Sequence, residues 1–218
     1  MCTSEGLKTP PAGLKIWCWA NADYSSAPML HHLFGVNSSG FATLLATVLL
    51  KSPVAALIAV AELVISSGLP DITIGMTHNG ATPNSNYKEH YYTVWHELFH
   101  ASHFSQVGEG IWGPYINYIV THGFGYGDGT AKETTGKSIC ELGESWAYAN
   151  QFISSGAYYR GYWFDNTILS YYNIIDSKVL TRKQMYDCLT KDIRSIDDFK
   201  RALEKKYPYK SVSINALY

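Results

Sequence analysis

Two histidines four residues apart, His96 and His100, with Glu97 directly after the first, make the most specific chemical offer in the chain. On a helix of 3.6 residues per turn, positions four apart share one face about one turn apart. Both imidazoles can then present a ring nitrogen to a single metal ion. Glu97 sits one step round, next to the position such an ion leaves open, where a carboxylate can take a proton from water. The chemistry that fits His96-Glu97-Leu98-Phe99-His100 is metal-assisted hydrolysis.

A hydrolytic zinc ion takes three protein ligands and one water. His103 lies on the same helix face as His96 but roughly 10 Å further along the axis, at 1.5 Å per residue. A straight helix cannot bring all three histidines to one ion, so His103 reads as a supporting or core histidine. Glu141 and Glu144 are the other candidates. Glu141 stands three residues after Ser138, the spacing of a capping box, where backbone hydrogen bonds account for it. Glu144 has no such explanation. It falls opposite the apolar stripe of Ile139, Leu142, Trp146, Ala149 and Ile153, among Cys140, Ala147 and Tyr148. Glu144 is the expected third ligand, with Glu141 the alternative.

The elements that must position these groups are legible as a predominantly helical α+β chain. The helix carrying the histidines runs from about Tyr87 or Tyr91 to Val107 and stops at Gly108. Val94, Trp95, Leu98, Phe99, Ala101 and Phe104 cover most of its remaining circumference, which predicts a buried, central helix. Glu144 rides a second helix that opens near Ser138 and ends around Ser155-Gly156. Further helices are expected over Ala27 to Phe34, Tyr115 to His122, Thr167 to Asp176, Thr181 to Thr190 and Ser195 to Lys206. Ser195 there is an N-cap, with Asp197 and Asp198 at the positive helix end. Leu14 to Ala20 and Asp71 to Met76 read as strands. The second is β-branched and alternating, a candidate edge for an extended substrate backbone. Gly123 to Gly129, with four glycines in seven residues, is an irregular loop.

At 218 residues, one domain suffices, and it can bury about 70% of its unfolded surface. The stretch 1–13 reads as a linker ahead of it. The formal net charge is -1 and only 16% of residues are charged, so no basic surface points to nucleic acid. Cys2, Cys18, Cys140 and Cys188 lack metal-knuckle spacing and do not form a disulfide scaffold. The start is polar, without the apolar core of a signal peptide. The apolar run from Phe41 to Ser66 is interrupted by Lys51, Pro53 and Glu62 and reads as two core helices instead of a membrane span. Ala131 to Ser138 matches a relaxed phosphate-loop pattern, but no strand precedes it, so a nucleotide is not an expected ligand.

Leu142-Gly143-Glu144-Ser145-Trp146-Ala147 resembles the L-N-E-G-F-A segment of gluzincin aminopeptidases, whose glutamate is the third zinc ligand. Together with His96 to His103 it is also similar to a family of bacterial zinc-dependent metallopeptidase lipoproteins. The resemblance covers about Tyr91 to Phe152. It departs from thermolysin-like enzymes in the longer interval between His100 and Glu144. It implies a zincin-like fold and a zinc peptidase acting on a peptide or protein substrate. His96, His100 and Glu144 would hold the ion, and Glu97 would act as general base. Tyr148, one turn after Glu144, is the expected oxyanion donor, with His122, Tyr126 and Tyr158 as rivals. Glu109 or Asp128 would orient a ligand imidazole. Under the same resemblance Cys2 is the remnant of a lipidated cysteine, the only membrane attachment expected. The location is then exported, at a bacterial cell envelope or surface, with a cytoplasmic location the alternative. The competing class is a catalytically silent binding module that keeps the zincin shell, for which the 17 Tyr and 6 Trp would serve as a recognition surface.

Overall fold

The computed structural model describes residues 4–20, 22, 24–34, 70–76, 87–122, 126–132, 134–156 and 161–218. Ile16–Trp19 (β1) and Ile72–Gly75 (β2) are short runs rich in β-branched and aromatic residues. They pair in parallel, with Ile16 opposite Ile72. Between them in sequence lies the short helix Leu30–Phe34 (α1). The two apolar helices expected between Phe41 and Ser66 lie outside the described residues.

The strand expected to offer an open edge is in fact covered on both sides. Opposite β1, Ser26 and Thr73 exchange backbone hydrogen bonds of 3.0 and 2.8 Å, and all four residues of β2 are buried. β1 is the outer strand, exposed at Ile16 and Trp19. Asp71, fully buried at the head of β2, fixes this corner. Its carboxylate accepts from the backbone N–H groups of Lys15 and His32 at 3.0 Å each and lies 2.9 Å from His32 Nδ1. Charge-assisted bonds to two separate segments tie β1, α1 and β2 together.

The helices Tyr87–Val107 (α2), Glu109–Thr121 (α3), Thr135–Ser155 (α4), Asp165–Asp176 (α5), Arg182–Tyr186 (α6) and Ile196–Lys206 (α7) follow. A 3₁₀ turn, Pro208–Lys210, leads into Ser211–Leu217 (α8). The fold is thus predominantly helical with a small parallel sheet. Among the described residues no helix is long and apolar enough to cross a membrane.

α2 ends where expected, at Gly108, whose positive φ of 74° is a backbone conformation that glycine adopts without strain. The chain then turns directly into α3, six residues earlier than the sequence suggests. Gly110, Gly113 and Pro114 argue against a helix there, but Ile111 and Trp112 are fully buried and tertiary packing overrides propensity. α4 also starts earlier than Ser138. Its N-cap is Thr134, whose side chain accepts from Lys137 N at 3.0 Å. Gly136 in its first turn lets α3 approach, because a Cβ there would stand 2.6 Å from Pro114 O. Ser195 caps α7 by accepting from Asp198 N, as expected.

The helix enclosed on all sides is α4, packed against α2, α3, α5 and α7. α2 is only half enclosed, with Tyr87, Tyr91 and Val94 exposed on its outer face. The half of α2 that carries His96 and His100 is nevertheless buried, from His96 to Phe104 with Leu98 half-buried. Two apolar clusters flank α4. Phe99, Leu142, Trp146, Tyr171, Tyr186 and Phe199 form one, and Met29, Ile72, Ile74, Trp112, Ile116 and Ile139 the other. α2 and α4 contribute to both, so their mutual contact is held rigidly from two sides.

Part of the stretch 1–13, expected to be a linker, is docked at Glu5, Leu7 and Lys8. Leu7 is buried in the first cluster, Ser102 Oγ donates to Lys8 O at 2.6 Å, and Glu5 pairs with the buried Arg182 at 3.4 Å.

Candidate metal centre

α2 and α4 face each other with their polar residues turned inward. His96 and His100, one turn apart on α2, direct their Nε2 atoms toward Glu144 Oε2 from α4 at 3.4 Å each. The two Nε2 atoms stand 3.0 Å apart. His96, His100 and Glu144 are the group of His, Cys, Asp or Glu side chains, among the described residues, arranged to hold a metal ion. Tetrahedral zinc with ligand bonds of about 2.0–2.1 Å needs ligand atoms roughly 3.3 Å apart, and this triangle meets that spacing.

All three candidate ligands and Glu97 are between 2% and 6% exposed. Lone pairs of two imidazoles and a carboxylate thus converge where bulk water cannot compensate them, which is costly without a cation or shared protons. The titration behaviour reflects this. Burial disfavours charge on Glu144, yet the flanking imidazoles hold its carboxyl below the usual range. Burial works against charging His96 as well, but Glu144, Glu97 and Gln151 outweigh it and raise its pKa. Burial lowers His100 despite Glu144. Burial pushes Glu97 up to about 8, with the Glu144 charge adding to it and His96 opposing it.

The outer contacts are specific. Tyr115, from α3, donates its hydroxyl to Glu144 Oε1, leaving Oε2 for the imidazoles. Gln151, two turns after Glu144 on α4, places Oε1 at 3.0 Å from His96 Nδ1. Neither was identified from the sequence. Gln151 carried a usable signal, because seven residues from Glu144 puts it on the same helix face. Tyr115 carried none, since its role depends on how α3 packs.

Other expectations meet a different fate. His103 is not among the ligands. It is 1% exposed, packs edge-on against Trp112 at 5.3 Å, and burial followed by the His100 charge lowers its pKa to about 3, so it is a neutral core histidine. Glu141 is not in a capping box, since the helix begins earlier; it accepts from Thr167 Oγ1 of α5 at 2.7 Å, away from the triad. Tyr148 lies against the site, its ring 4.2 Å from that of His96, but its hydroxyl donates to Tyr162 at 2.8 Å. Among its rivals, Tyr126 packs with Tyr162 and Phe164, His122 is exposed and stacks on Tyr118, and Tyr158 lies outside the described residues. Glu109 is exposed and Asp128 is engaged by Thr130, so neither is placed to orient a ligand imidazole. Lys137 donates to Gly129 O and Ala131 O, which is loop bracing.

An apolar groove of about 460 Å³ runs between the sheet and the outer face of α2. Ile16, Ile72, Ile74, Val94 and Leu98 line it, and neither Glu97 nor the His96, His100 and Glu144 side chains are part of its lining.

No protein-family model, curated protein or solved structure matches this chain.

Proposed function

We propose that the chain is a zinc-dependent peptidase with a zincin-like catalytic site. The observation that carries this reading is the convergence of His96 Nε2, His100 Nε2 and Glu144 Oε2 within 3.0–3.4 Å, in a buried setting, with Glu97 next to His96 on the same helix. Two nitrogens and one carboxylate oxygen form a donor set suited to zinc, with one position left for water. When bound, the ion would supply Lewis acidity toward a carbonyl and acidify the attacking water.

The chain's own residues carry the rest. Glu97 accepts the proton of the attacking water and returns it to the leaving amine. Its high pKa in the absence of a cation reflects the same burial that strengthens its interaction with a neighbouring positive charge. Tyr115 holds Glu144 so that one carboxylate oxygen faces the imidazoles. Tyr148, against His96, would need to release Tyr162 to donate to an oxyanion.

Cleavage of a fluorogenic peptide library, with and without a chelator, tests this reading. Turnover that a chelator abolishes and added zinc restores is the expected outcome. Peptide binding without turnover would favour the silent module.

A further inference from the structure

We propose that Gln151 sets the tautomer of His96 and so decides which of its ring nitrogens faces a metal ion. The inference rests on the metal-centre reading above and is independent of whether the site cleaves peptides.

Gln151 is buried on α4, and its Oε1 lies 3.0 Å from His96 Nδ1. An amide oxygen can only accept, so this contact places the proton on Nδ1 and leaves the lone pair on Nε2. Nε2 is the atom that stands 3.0 Å from His100 Nε2 and 3.4 Å from Glu144 Oε2. Turning the amide round would present an N–H to Nδ1, drive the proton to Nε2 and aim it at the other ligands. That arrangement excludes a cation. The sense of one buried amide thus selects between a ligand and a blocked site. α4 acts on the centre twice, directly through Glu144 and from behind His96 through Gln151. The two imidazoles are unequal in this respect, because His100 Nδ1 has no hydrogen-bond partner among the described residues. Gln151 is a positioning residue, since it touches the ligand and not the ion.

The test compares the zinc affinity of the wild type, Gln151→Leu and Gln151→Glu by competition with a chromophoric chelator, each checked for a native circular dichroism spectrum. Loss of an outer partner to a ligating histidine typically weakens metal binding by about 10–100-fold, and Gln151→Leu should fall in that range. Gln151→Glu keeps an acceptor and should recover the affinity. In zinc-loaded wild type the His96 Nδ1–H should give a slowly exchanging proton resonance, lost in Gln151→Leu. Unchanged affinity and an unchanged resonance in folded Gln151→Leu would overturn the inference while leaving zinc binding intact. So would a folded Gln151→Glu as weak as the leucine variant, because packing would then be the cause. A wild type that binds no zinc removes the metal centre and this inference together.

Discussion

Glu97→Gln is expected to reduce peptide hydrolysis by about 10²–10⁴-fold while bound zinc stays near one per chain. Glutamine keeps the volume and can still hydrogen-bond, but it cannot accept the water's proton. Glu97 is not among the three converging ligands, so the metal should remain. The same variant has a second readout in chelator-treated protein. Glu97 has a folded-state pKa of about 8 against an ordinary value of 4.5. Between those values the unfolded chain releases the proton and the folded chain keeps it. Glu97 therefore lowers stability as pH rises from about 4.5 to 8, by up to about 1.4 kcal/mol per pH unit. Urea unfolding should show the Glu97→Gln variant gaining on the wild type across that window. Full hydrolytic activity in Glu97→Gln would remove Glu97 as the base.

Glu144→Ala carries the other large effect. It deletes one of three ligands, so zinc affinity should fall by more than the about 10–100-fold typical of outer partners. Elemental analysis after dialysis should find well under one zinc per chain, and the zinc-dependent rise in Tm should vanish with the binding that drives it. Glu141→Ala is the control. Its carboxylate is committed to Thr167, so metal content should match the wild type. Zinc retained in Glu144→Ala and lost in Glu141→Ala would exchange the two assignments.

Much of this site was legible because its signals are local. The His96-Glu97-His100 spacing needs only a helix, and a helix from about Tyr87 or Tyr91 that stops at Gly108 follows from an apolar pattern and one glycine. Glu144 was legible by exclusion, as an acid with no local role on an apolar helix. The supporting contacts were not. Tyr115 reaches Glu144 because α3 continues straight from Gly108 through Gly110, Gly113 and Pro114, residues that locally disfavour helix. Trp112 and Ile111 reverse that preference only once a core exists to bury them. Glu141 misled because Ser138 stands at capping distance, while the real cap at Thr134 lies four residues earlier. β2 misled as well: its edge is covered by the Ser26 segment, about fifty residues away in sequence, and no local pattern announces that pairing.

The central claim is that one ion is gripped by nitrogens from α2 and an oxygen from α4. X-ray absorption at the zinc edge, on protein dialysed to constant metal content, addresses it directly. One zinc per chain with two imidazole ligands and only nitrogen or oxygen donors is the predicted spectrum. Absence of stoichiometric zinc, or a shell containing sulfur, would contradict the account.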